Sequence, residues 1–132
     1  MTRLTRRAPA ELTVVALEAV ARDPQRIRIM LKAASHARAR CAHVIMREQA
    51  TQMRLRVGSR WSASTQARVE RMAAVNSARD DALKALARAR KGLTAEAVAA
   101  RLARVGHSPA IIDAAIAQMR TDGWISDRIR PA

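Results

Sequence analysis

The stretch that most constrains this chain runs from Leu93 to Asp127 and reads LTAEAVAARLARVGHSPAIIDAAIAQMRTDGWISD. Thr94 has the chemistry of a helix N-cap, since its hydroxyl can accept from a backbone N–H that the first turn leaves unpaired. Ser108 offers a second cap, with Pro109 in the first helical position, where a missing N–H costs nothing. Gly106 and Gly123 then supply helix stops. The spacing predicts one helix from Thr94 to about Val105 and another from Ser108 to Gly123. Asp127 is placed to cap one last turn before Pro131.

Upstream, the apolar spacing reads as helix throughout. Pro9 suits a first turn, and Leu12, Val15, Ala16, Ala19 and Val20 follow at helical intervals. Asp23-Pro24 closes that helix and opens another, which runs to about Val57. Ile27, Met30, Leu31, Ala34, Ala37, Cys41, Val44 and Ile45 share its apolar face. Arg28, Lys32, His36, Arg40, His43, Arg47 and Arg54 form a stripe opposite. Gly58-Ser59 breaks the pattern. A third helical stretch runs from Ser62 or Ser64 to Lys91, interrupted near Asn76-Ser77, with Asp80-Asp81 at the start of its second part. The expected fold is all-α: a basic helical region over residues 1–78, then a compact three-helix unit over 79–132.

Charge directs the functional reading. The chain carries 25 Lys+Arg against 11 Asp+Glu, a net of +14. Such an excess attracts polyanions, so nucleic acid is the first partner to consider, with DNA favoured. Residues 1–91 hold a net +13 and residues 92–132 a net +1, which places the basic surface ahead of the capped helices. There is no Phe or Tyr, and Trp61 and Trp124 are the only aromatics. A base-stacking platform is therefore not expected. Cys41 is alone, which excludes an internal disulfide and points to a reducing, cytoplasmic setting. No apolar run reaches the ~20 residues of a membrane span, and the basic N-terminus has no apolar core behind it.

The stripe from Arg28 to Arg54, with Arg3, Arg6 and Arg7 of the N-terminal arm, is the candidate phosphate-contacting surface. The same pattern also fits a merely solvated helix face, or a basic amphipathic helix lying on an anionic membrane. His36 and His43 fall with the stripe and Cys41 on the apolar side, so helical geometry keeps them from sharing a metal ion. Cys41 reads as a small buried hydrophobe. The carboxylates form no acid–base pair, and there is no Gly-rich phosphate loop or activated nucleophile. Neither an enzyme nor a cofactor is expected.

Residues 80–127, DDALKALARARKGLTAEAVAARLARVGHSPAIIDAAIAQMRTDGWISD, resemble one repeat of the RecX type of recombination regulatory protein. The likeness lies in a leucine helix, a capped helix ending in Arg101-Leu102, Gly106 before a ring residue, an aliphatic helix, and Gly-x-Ile-x-Asp at Gly123 to Asp127. It implies repeated three-helix units that bind the RecA filament along its groove and restrain its activity. The first 75 residues do not follow the pattern.

The same stretch is similar to a winged helix-turn-helix, with the Ser108 helix as reader, Gln118 and Arg120 as its DNA contacts, and Gly123-Trp124-Ile125 opening the wing. Against that stand the missing return strand and a single cation on the reading helix. The expected function is non-enzymatic nucleic-acid binding in regulation or genome maintenance, with residues 93–127 reading DNA or docking a protein. The alternatives are a RecX-like modulator of a RecA filament and a helical scaffold that pairs as a homodimer.

Overall fold

A computed structural model describes residues 12–33, 38–89 and 93–125. In chain order they form strands β1 (Thr13–Val20), β2 (Asp23–Lys32) and β3 (Arg40–Met46), then helices α1 (Arg47–Gln52), α2 (Ala63–Arg88), α3 (Ala95–Val105) and α4 (Pro109–Thr121). The chain is thus not all-α. The stretch expected as a first helix and most of a long second one is an antiparallel sheet in the order β1-β2-β3.

The alternation Arg26-Ile27-Arg28-Ile29-Met30-Leu31-Lys32 explains why. On a strand, successive side chains point to opposite faces. Ile27, Ile29 and Leu31 are all buried, and their neighbours lie on the other face. A helical wheel leaves Ile29 among the cations, yet Ile29 is fully buried. Burying a side chain of this size contributes roughly 1.5–3 kcal/mol, so the period that buries it prevails. β1 and β2 are joined by a tight turn in which Val20 pairs with Asp23. Pro24 falls where the ladder shifts register, so its missing N–H removes no hydrogen bond from the central strand.

The residues divide into two compact units, 1–73 and 74–132, with the boundary inside α2. In unit 1 the core comprises Val14, Ile29, Leu31 and Ile45 from one sheet face, with Ala50, Trp61 and Val69 from the segments that follow. The start of α1 is fixed by Gln49, whose Oε1 accepts from the Met46 N–H at 2.9 Å. The loop after α1 is pinned to β1 by three backbone bonds: Gly58 N–H to Val14 O, Val14 N–H to Ser59 O, and Trp61 N–H to Leu12 O.

Unit 2 packs Val75, Ala78 and Ala82 of α2 with Val98 and Leu102 of α3 and Ile112, Ala115, Ile116 and Met119 of α4. α2 continues through Asn76-Ser77 without the expected joint, and Asn76 is buried. Asp80 and Asp81 therefore lie well inside a helix and not at its start. Thr94 and Ser108 cap as expected, accepting from Ala97 N–H at 3.0 Å and Ile111 N–H at 3.4 Å. Both helices end alike. Gly106 (φ 115°) and Gly123 (φ 86°) adopt the left-handed conformation. The next residue, His107 or Trp124, returns its N–H to the carbonyl of Leu102 or Met119. Two side-chain contacts brace the unit: a hydrogen bond between His107 Nε2 and Asp81 Oδ2 at 2.8 Å, and an ion pair between Arg79 Nη2 and Asp122 Oδ2 at 3.5 Å. Ile125, expected to open a wing, is instead a core residue, and unit 2 has no strand among the described residues. The cap expected at Asp127 lies outside them.

Candidate nucleic-acid interface

The sheet redistributes the residues expected to form one basic stripe. Arg28 sits opposite Glu18 on β1 and Val44 on β3, on the face away from the unit 1 core. Its guanidinium lies 4.0 Å from the Glu18 carboxylate, a solvated contact. Lys32 shares that face, since it alternates with buried Leu31 and pairs with Thr13. His43 does not. It pairs with Ile29, on the core side, and its Nε2 lies 3.5 Å from Gln66 Nε2. Gln66 in turn accepts from the Trp61 indole N–H at 2.6 Å and donates to Glu70. His43 reaches the core side by simple alternation with buried Ile45, a period of two that a helical wheel does not contain.

Arg40 opens β3 and is exposed, opposite Leu31. Arg47 begins α1 and donates from Nη2 to the Pro24 carbonyl at 2.8 Å, so its fork is partly engaged within unit 1. Arg54 follows α1 in the left-handed conformation, φ 58°, and is exposed. Gln118 and Arg120 are exposed near the end of α4 in unit 2. Arg3, Arg6, Arg7 and His36 lie outside the described residues. Cys41 is exposed and not buried, because it pairs with Met30 on the open sheet face. Among the described residues no three His, Cys, Asp or Glu side chains gather as a metal-binding group, and no helix is long and apolar enough to cross a membrane.

Two further cations belong with this set. Arg56 and Arg60 are exposed on the loop that Arg54 begins. Ser59 N–H bonds to Arg56 O, closing a tight turn with Gly58 (φ 95°) inside it. Ser59 Oγ also accepts from the Arg56 N–H at 3.1 Å. Arg60 forms an isolated antiparallel bridge with Thr13, which itself pairs with Lys32. Paired residues in a sheet share a face, so Arg60, Thr13 and Lys32 form one row across it. The sequence carries a signal for this loop: three arginines within seven residues around Gly-Ser, and no Asp or Glu anywhere from Gln49 to Val69.

Unit 1 as a whole carries 15 Lys+Arg against 5 Asp+Glu, a net of +10, while unit 2 carries 10 against 6, a net of +4. Neighbouring carboxylates answer Arg26 and Arg28, Asp23 lying 2.9 Å from Arg26. The side chains of Lys32, Arg54, Arg56 and Arg60 have no such partner among the described residues. Their potential therefore faces outward, where it can attract a polyanion.

No known family profile matches the chain, and no curated protein is similar to it in sequence. Among solved structures it is similar to a crystal structure of the regulatory protein RecX, with a TM-score of 0.68 at 16% identity, covering 88% of this chain and 53% of that one. The chain thus spans about half the length of that relative. Coverage of 88% takes in most of unit 1 as well as unit 2, so the likeness in fold reaches beyond residues 80–127, to which the sequence pattern was confined. What the comparison establishes is a RecX-like fold.

Proposed function

We propose that this chain is a non-enzymatic, DNA-associated regulatory protein that acts as a RecX-like modulator of a recombinase filament. Unit 1 contacts phosphates, and unit 2, through residues 93–127, docks a protein partner. The observation that carries this proposal is the RecX-like fold spanning both units, joined to the strong positive charge of unit 1. A filament of protein on DNA presents both things these units suit, a phosphate backbone and a protein surface. Gln118 and Arg120 are exposed on α4, and in this reading they serve the docking surface of unit 2.

The test is the ATP hydrolysis of a RecA filament on single-stranded DNA with increasing amounts of this chain. The proposal expects hydrolysis to fall with added protein, and the effect to weaken as salt rises. Unchanged hydrolysis at saturating protein and ~50 mM salt, where phosphate contacts are strongest, counts against it.

A further inference from the structure

The structure assigns the phosphodiester contact to one preformed element, the Arg54–Arg60 loop together with Lys32. This rests on the reading of the chain as a DNA-associated protein and says which part of it touches the backbone. Three independent observations converge on the loop.

The first is conformational. Arg54 is the one non-glycine residue with positive φ among the described residues. A left-handed backbone disfavours any residue with a Cβ, and glycine or asparagine relieves the cost. The Leu55 N–H returns to the Ala50 carbonyl, so Arg54 takes after α1 the left-handed place that glycine takes after α3 and α4, and this cap fixes where its side chain leaves the backbone. The second is rigidity. The loop closes its own turn from Arg56 to Ser59 and exchanges backbone hydrogen bonds with Val14, so its arginines project from a fixed backbone. Preorganised donors lose less entropy on binding than donors on a mobile arm. The third is charge. The segment from Gln49 to Val69 holds no carboxylate, and the row Arg60–Thr13–Lys32 adds a fourth cation through the sheet itself. Arginine forks suit the oxygens of a phosphodiester, and among the described residues no carboxylate pairs with those of this loop.

The experiment uses the full chain and a labelled random-sequence duplex, with binding followed by fluorescence anisotropy across a salt series. The loop variant is Arg54→Gly/Arg56→Ser/Arg60→Ser. The charge-matched control is Lys84→Ser/Arg101→Ser/Arg104→Ser, three exposed cations of unit 2. The loop variant is expected to lose at least about tenfold in affinity at ~100 mM salt, and its slope of log affinity on log salt should flatten by about 2 to 3, near 0.9 per lost phosphate contact. The control is expected to change affinity by less than about threefold and to keep the slope.

Equal losses in both variants overturn the assignment, because net charge alone then explains binding. An unchanged loop variant overturns it too and gives the loop to an acidic protein surface. If the unaltered chain fails to bind at ~50 mM salt, the DNA reading itself falls, a result distinct from failure of the loop alone. Arg54→Gly by itself guards against misfolding. It removes strain, so Trp61 fluorescence should keep its folded value while the salt slope flattens by about 1. Loss of the folded signal together with binding contradicts the assignment of Arg54 to the phosphate contact.

Discussion

The two units differ in where their charged groups are braced. In unit 2, Asp81 holds His107 at the turn between α3 and α4 and Arg79 holds Asp122 at the end of α4, while Lys84, Arg101, Arg104 and Arg120 stay exposed. Both contacts tie the helix pair to α2 within that unit. In unit 1, Lys32, Arg56 and Arg60 have no carboxylate partner among the described residues, and Arg54 takes the left-handed position that caps α1. In the first case charge serves the fold. In the second it is left exposed, which is what the proposed phosphate contact requires.

The largest effects that probe this contrast lie in the cores. Leu102→Ala in unit 2 and Ile29→Ala in unit 1 each remove a fully buried side chain and should cost about 2–5 kcal/mol in urea unfolding. Neither substitution should flatten the salt slope of DNA binding while the chain stays folded, and a flattened slope would blur the division between fold and surface. Gly106→Ala comes next. At φ 115° an added Cβ is strained even though it meets no neighbouring atom, so the loss should be about 1–2 kcal/mol in the same experiment.

His107→Ala removes the 2.8 Å contact with a partly exposed Asp81 and should cost about 1 kcal/mol, the figure for a hydrogen bond to a charged group reduced for solvent screening. No measurable cost would mean that the side-chain contacts of unit 2 are incidental. The smallest effect has the opposite sign. Arg54→Gly relieves a left-handed arginine and should leave stability unchanged or raise it by up to about 1 kcal/mol, net of glycine's greater backbone entropy in the unfolded chain. Clear destabilisation would show that the Arg54 side chain supports the fold and would erase the contrast between the units.

Unit 2 was largely legible because its signals are local. A cap hydroxyl acts three residues away, and a glycine ends the helix it follows, so Thr94, Gly106, Ser108 and Gly123 could be read without knowing any distant neighbour. Its side-chain contacts could not, since Asp81 and His107 are 26 residues apart. Unit 1 failed because strand pairing is non-local and alternation can pass for a helical period. Ile27, Met30 and Leu31 satisfy a helical face, and only Ile29 betrays the strand. The register then decided the candidate site. Pairing with Ile29 sends His43 to the core side, pairing with Glu18 and Val44 keeps Arg28 outside, and the bridge to Thr13 brings Arg60 beside Lys32's partner. No sequence period contains that last juxtaposition, although the acid-free run around Arg54, Arg56 and Arg60 was there to be seen.

In the proposed function, DNA is met by unit 1 and not by the helix pair of unit 2. The most direct test is an NMR titration of the isotope-labelled full chain with a short duplex, following each backbone amide. Amides from Arg54 to Arg60, with Thr13 and Lys32, are expected to shift progressively, while those around Gln118 and Arg120 stay in place. Shifts centred on Gln118 and Arg120, with the Arg54–Arg60 amides unmoved, would contradict it.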